Sequence, residues 1–265
     1  MSLSSAQKVF ITGASSGIGH ALAGHYAAQG AVLGLVARRG ELLDAQADTL
    51  KQAGAAAVAC YALDVTRREA VQAAAEDFIA RHGVPDIVIA NAGVSFGTLS
   101  EHHEDFEVIR RIFETNVFGM IATFMPFIAG MQQAAQQGKA CRLVGIASVA
   151  GIRGLPGAEA YSASKAATIS YLESLRVELR ESGVKVVTIA PGYIETPMTA
   201  INPYPMPFLL PVREAACRFA RAIDRGSSYV VIPWQMGIVA KVLRLLPNGL
   251  YDRLFANVQR KPRVF

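Results

Sequence analysis

The chain of 265 residues is 52% hydrophobic and only 18% charged, which excludes a disordered polypeptide and is enough to bury the core of one large α/β domain. Its net charge of +5 comes from scattered lysines and arginines, bunched only at Arg260, Lys261 and Arg263 near the tail; this argues against a nucleic-acid surface and mildly for an anionic small ligand. Cys60, Cys141 and Cys217 have neither pairing nor metal-ligand spacing and read as buried apolar residues in a reducing compartment.

The opening "MSLSSAQKVFITG" lacks the basic start and apolar run of a signal peptide. No window of about 18 uncharged apolar residues is seen, so no membrane span is expected. These readings point to the cytoplasm. The first predicted strand, "KVFITG" at 8–13, runs straight into "TGASSGIG", Thr12 to Gly19, and then a helical segment at 18–29. Gly13, Gly17 and Gly19 permit a tight turn and a close backbone approach to phosphate, and the helix start beyond offers free N–H groups and a positive dipole end. A phosphate loop of nucleotide hydrolases is excluded, because His20 follows where Lys-Ser/Thr would be needed.

The second strand, 31–38, ends "LVARR". In a dinucleotide site this position faces the adenosine ribose, where a carboxylate selects a free 2′-hydroxyl. Here stand Arg38 and Arg39, with no acid until Glu41, and guanidinium groups suit a 2′-phosphate. A helix at 41–53, a strand at 56–65 and a helix at 67–82 follow, then "DIVIANAG" at 86–93. His102 and His103 read as a solvated loop without metal partners. A long helix is predicted over 104–131, a strand over 141–148 and a helix over 159–182. This last helix holds "YSASK", placing Tyr161 and Lys165 one turn apart on one face. An ammonium there is expected to pull the phenol pKa down from ~10 toward a working acid/base. After the strand at 184–192, residues 193–211 hold five prolines and cannot form one long helix. A helix at 211–224 and a strand at 228–234 close the alternation, which predicts a parallel sheet between helix layers in one domain spanning 1–265.

Residues 235–256 form a helical extension interrupted at Pro247. Met236, Val239, Leu243 and Leu246 share one face, widened by Ile238, Val242 and Leu245, beside a thin polar strip of Lys241 and Arg244. Packing on its own subunit or on a neighbour, covering the active-site mouth, is the favoured destination; a membrane surface is the alternative.

In order along the chain, "TGASSGIG", Asp64 after the third strand, "NAG" at 91–93, "ETNVFG" around Asn116, "IAS" ending at Ser148, "YSASK" and "PGYIETPM" at 191–198 resemble the short-chain dehydrogenase/reductase family over roughly residues 8–234. The resemblance implies a Rossmann-type, doubly wound, seven-stranded parallel sheet with helices on both faces, and hydride transfer between NADP(H) and a carbonyl or alcohol. It implies Tyr161 as acid/base, Lys165 as its tuner and nicotinamide-ribose ligand, Ser148 as polariser of the substrate oxygen, and Asn116 in a proton relay. Gly13, Ser15, Ser16, Gly17, Ile18 and Gly19 would hold the pyrophosphate, and Arg38 and Arg39 the 2′-phosphate. Asp64 and Val65 would border the adenine; Asn91, Ala92 and Gly93 would run along the cofactor. Pro191, Gly192, Ile194 and Thr196 would cradle the nicotinamide end. A homo-oligomer, dimer or tetramer, is implied through 104–131 and 159–182.

Ala90 replaces a second asparagine common before "NAG", and Ser16 occupies a place often basic in users of the phosphorylated cofactor, leaving the selection to Arg38 and Arg39. The loop after Thr196 suggests an apolar or bulky substrate. A non-catalytic dinucleotide-binding redox sensor and an epimerase or dehydratase are the competing readings. The intact Asn116, Ser148, Tyr161 and Lys165 argue against the first, and the missing longer sugar-nucleotide domain after residue 192 argues against the second.

Overall fold

The computed structural model describes residues 6–263, so the ends of the domain expected over 1–265 lie outside the described residues. Seven strands build the sheet: β1 (Lys8–Thr12), β2 (Val32–Ala37), β3 (Ala57–Ala62), β4 (Ile87–Ala90), β5 (Arg142–Ile146), β6 (Lys185–Pro191) and β7 (Tyr229–Ile232). All pair in parallel in the order β3-β2-β1-β4-β5-β6-β7. The order reverses between β1 and β4, which opens a crevice at the carboxyl ends of these strands. The connecting helices are α1 (Gly17–Ala27), α2 (Gly40–Gln52), α3 (Arg68–His82), α4 (Asp105–Phe113), α5 (Gly119–Gln136), α6 (Glu159–Glu178), α7 (Pro197–Ala200), α8 (Val212–Asp224), α9 (Trp234–Leu245) and α10 (Asn248–Phe255).

Alternate residues along each strand point to opposite faces, so the near-continuous apolar runs feed two cores. Val9, Ile11, Leu33, Leu35, Ile87 and Ile189 pack with Leu22, Tyr26, Phe219 and Ile223 of α1 and α8. Phe10, Val88, Leu143 and Val186 pack on the other side with Phe78 of α3, Phe124 and Phe127 of α5, and Leu172 of α6. Gly34 leaves room for the aromatic part of this second core, since a Cβ there would stand 2.5 Å from the Phe10 ring.

The segment predicted as a helix over 104–131 runs on to Gln136 and carries one π-turn, Glu114–Phe118. By length and composition this continuous helix is apolar enough to cross a membrane, with a mean hydropathy of 1.4 in its best window. That corrects the expectation that no such segment exists. Its apolarity has a local cause: Phe124, Phe127 and Met131 are fully buried in the second core. Cysteine burial also needs correction, because only Cys141 is buried, Cys60 is half-buried and Cys217 is exposed on α8. Among the described residues, no cluster of His, Cys, Asp and Glu is arranged to hold a metal.

The proline-rich stretch after β6 forms the short α7 and then returns along its own start, with Leu210 N–H donating to the Tyr193 carbonyl at 3.0 Å and Glu195 N–H to the Leu210 carbonyl at 3.0 Å. The C-terminal extension breaks at Pro247 as expected, and its inner face packs on the protein. Met236, Ala240 and Tyr251 are buried. Arg153 donates to the carbonyls of Arg244 and Leu246, each at 3.2 Å, and stacks its guanidinium 4.2 Å from the centre of the Tyr251 ring. The basic tail is not a free cluster: Lys261 Nζ is buried against Ser95 Oγ at 2.9 Å, and Arg263 grips Asp105 through two bonds of 2.9 Å.

Candidate active site

At the switch point, β1 ends in a turn whose glycines are required by geometry. Gly13 and Gly17 adopt φ of +68° and +56°, the left-handed region that side chains disfavour. Gly19 lies beneath the turn; a Cβ there would sit 2.3 Å from the Gly13 carbonyl oxygen. The side chain of Ser16, at the N-cap of α1, makes no capping bond, so the first-turn N–H groups keep their donors for a ligand. The "NAG" loop is tied to this turn. Thr12 Oγ1 accepts from Asn91 N–H and Ala92 N–H, each at 3.2 Å, and Asn91 Nδ2 donates to the Thr12 carbonyl at 3.0 Å.

The rim at the end of β2 is basic. Arg39 donates to Ser15 Oγ and Ser16 Oγ, each at 3.1 Å, and Arg38 lies 3.8 Å from Asp64. Asp64 accepts from Thr66 N–H at 3.0 Å, which fixes the loop after β3.

The opposite wall comes from β5 and α6. Ser148 follows β5 and caps the short 149–151 turn, its Oγ accepting from Ala150 N–H at 3.1 Å. Two glycines let α6 come close. A Cβ on Gly145 would stand 2.3 Å from Leu172 Cδ1, and one on Gly151 would stand 2.6 Å from the main-chain carbon of Lys165. Lys165 is thereby buried, its Nζ donating to the Ile146 carbonyl at 2.8 Å. Burial lowers its pKa to about 8.

The Tyr161 phenol moves opposite to expectation. Burial raises its pKa, only Ser148 pulls it back, and the Lys165 ammonium, 5.9 Å from the ring centre, is occupied by the Ile146 carbonyl. The phenol therefore stays protonated at neutral pH.

Asn116 sits in the π-turn, a local widening often found at functional sites. Its Oδ1 accepts from Val94 N–H at 2.8 Å, and its Nδ2 donates to the Val94 carbonyl and to Ser164 Oγ, each at 3.0 Å. A Cβ on Gly93 would stand 3.1 Å from Asn116 Oδ1 and 3.6 Å from Lys165 Nζ, which puts these three residues together.

One continuous cleft is lined by Gly13, Ser15, Ser16, Gly17, Ile18, Arg38, Arg39, Asp64, Val65, Asn91, Ala92, Gly93, Ser148, Tyr161, Lys165, Pro191, Gly192, Ile194 and Thr196. Gly19 and Asn116 lie behind its wall. Met198 of the loop after Thr196 also lines it, while sequence reasoning missed Val94, Thr115 and Ala147 in its wall and Thr12, which ties two loops through one hydroxyl. Of these, only Thr12 had a signal, as the polar residue ending an apolar strand. The glycine cradle, the uncapped helix start and the basic rim together fit a phosphate-bearing dinucleotide.

A family model described as short chain dehydrogenase matches residues 7–203. The chain is 40% identical, over 91% of its length and 93% of the relative's, to an uncharacterized oxidoreductase of Myxococcus xanthus. It is 36% identical to 11-beta-hydroxysteroid dehydrogenase-like 2 of Arabidopsis thaliana, over 94% of the chain and 82% of that protein. Among solved structures, it resembles a short-chain dehydrogenase from Streptomyces avermitilis with a TM-score of 0.77 at 27% identity, covering 95% of both chains. It also resembles L-sorbose reductase from Gluconobacter frateurii complexed with NADPH and L-sorbose, with a TM-score of 0.77 at 25% identity, covering 86% of this chain and 95% of that one.

Proposed function

The chain belongs to the short-chain dehydrogenase family, and from that premise we propose a single-domain, NADP(H)-dependent oxidoreductase that interconverts a carbonyl and an alcohol. The observation that carries this reading is one cleft with a phosphate cradle and a basic rim at one end and Ser148, Tyr161 and Lys165 at the other. When bound, the cofactor supplies the hydride.

The chain's own residues handle the oxygen. As electrons arrive at a carbonyl carbon, negative charge builds on its oxygen. Tyr161 gives its phenolic proton to that oxygen while Ser148 Oγ hydrogen-bonds it and holds the carbonyl in place. A raised phenol pKa suits this reducing direction, since the proton is present at neutral pH. Lys165, buried one turn along, would hold the cofactor ribose and balance charge near the phenolate. Asn116 secures the Val94 loop and supports proton resupply.

Arg38 and Arg39 favour the 2′-phosphate of NADPH. Met198 in the cleft wall and the exposed Ile201 and Phe208 beyond it favour an apolar or bulky substrate, as does the likeness to 11-beta-hydroxysteroid dehydrogenase-like proteins. Phe118 and Met125 on the long helix and Val177 on α6 are exposed apolar residues that favour a homo-oligomer through these helices. Three free cysteines favour a reducing cytoplasmic location.

The test is NADPH oxidation against a panel of apolar and polar ketones and aldehydes, with both cofactors titrated by fluorescence. Turnover of an apolar ketone and tighter NADPH than NADH binding are expected. Cofactor binding without any turnover would favour a redox sensor, and equal or tighter NADH binding would overturn the cofactor assignment.

A further inference from the structure

The outer face of the C-terminal helices remains uncovered. Trp234, Ile238, Val242 and Leu245 follow one another at helical spacing along α9 and are 64%, 54%, 53% and 83% exposed, opposite the buried Met236 and Ala240. Leu250 and Leu254 extend the surface along α10. Arg153 and Tyr251 hold these helices rigidly from the inside, so the face is fixed rather than frayed. A contiguous apolar surface of this kind on a single chain marks a contact.

Charge decides which contact. From Trp234 onward the chain has six cations, Lys241, Arg244, Arg253, Arg260, Lys261 and Arg263, against the single acid Asp252. That excess of five equals the net charge of the whole chain, +5, so the first 233 residues are neutral in sum. Lys261 and Arg263 turn inward to Ser95 and Asp105. Arg244 donates back to the Ile152 carbonyl at 3.1 Å, which leaves Lys241 and Arg253 exposed on the same two helices as the apolar residues. Lys241 lies within the Trp234–Leu245 stripe itself, where a second protein surface would need a matching acid and a lipid headgroup layer supplies one everywhere. Trp234, at the start of the stripe, has the amphipathic ring suited to a membrane interface.

We propose that the outer face of α9 and α10 seats the protein on an anionic bilayer surface. The loop after β6 carries exposed Ile201, Phe208 and Leu209, and α9 follows the neighbouring β7, so both rise from the end of the sheet where the cleft opens. Seating there brings the cleft mouth to a phase in which an apolar substrate dissolves.

The test is co-sedimentation of the full chain with vesicles of phosphatidylcholine alone and of phosphatidylcholine mixed with phosphatidylglycerol. Two cations near the headgroups should give binding roughly thirtyfold tighter to the anionic vesicles, weakening as salt rises. The double variant V242E/L245E, both positions exposed, should keep the wild-type melting temperature and lose binding. K241E/R253E should lose the preference for anionic lipid. Failure to bind, or equal binding to neutral vesicles, overturns the proposal. So does a shift of V242E/L245E to a smaller species in light scattering without vesicle binding by the wild type, which would make the face a contact between copies of the chain.

Discussion

Gly151→Ala tests how the site is assembled. Gly151 has no left-handed backbone angle to lose, so any effect of the added methyl is steric. The new Cβ would stand 2.6 Å from the Lys165 carbonyl carbon, 2.7 Å from its oxygen and 2.9 Å from Ala166 N. These are main-chain atoms of a packed helix and cannot swing away. Restoring an ordinary separation of about 3.5 Å requires the 149–151 turn and α6 to part by about 1 Å. Overpacking of this kind costs about 1–3 kcal/mol, a fall in melting temperature of roughly 2–12 °C for a chain of this size. The same movement separates Ser148 from Tyr161 and Lys165, and a misplacement of about 1 Å can lower turnover about a hundredfold. Gly24→Ala is the matched control: a Cβ there meets nothing within 4 Å, and in mid-helix it should stabilise by about 0.5–1 kcal/mol. The assay is thermal unfolding beside kcat for any ketone that the wild type reduces. A Gly151→Ala protein with wild-type melting temperature and kcat would refute the close-packing argument.

Arg38→Ala combined with Arg39→Ala is expected to weaken NADPH binding at least tenfold while leaving NADH binding nearly unchanged, since a charge-assisted bond to phosphate is worth about 1.5–3 kcal/mol; fluorescence titration of both cofactors checks it. Lys261 is buried with its pKa lowered to about 8 by desolvation, against ~10.4 in the unfolded chain. Below about pH 8 the folded state carries a desolvated charge in full; between about 8 and 10 the unfolded state holds the proton more tightly, so wild-type stability from this group rises with pH. Lys261→Met should therefore be most stable relative to wild type at pH 7, and its advantage should shrink toward pH 10, as melting curves across that range would reveal. Light scattering at micromolar concentration should show a dimer or tetramer, and Phe118→Glu or Met125→Glu should shift it toward monomer.

The strands were legible because each is covered on both faces and so reads as a nearly unbroken apolar run; "VFIT" and "VVTIA" admit few other structures. The phosphate turn was legible because its glycines fall between a strand and a helix. Other features depend on partners distant in sequence. The π-turn around Asn116 leaves the helical pattern intact and became visible only through its bonds to Val94 and Ser164. Gly145 and Gly151 look like ordinary small residues until α6 is packed against them. Arg260, Lys261 and Arg263 read only as a small basic cluster, yet Lys261 is buried and Arg263 reaches Asp105, 158 positions away. The spacing of Tyr161 and Lys165 set their common face. It did not reveal that burial would raise the phenol pKa and turn the ammonium to Ile146.

The central claim, that Tyr161 donates the proton as a carbonyl is reduced, is tested most directly by Tyr161→Phe, with NADPH binding and turnover measured on the same preparation. The substitution removes one hydroxyl and leaves the cleft wall and the rim of Arg38 and Arg39 in place. NADPH affinity should be unchanged while kcat falls by about 10²–10⁴-fold, the usual contribution of a positioned general acid. A Tyr161→Phe enzyme that binds NADPH normally and keeps more than roughly a tenth of wild-type turnover would contradict the assignment.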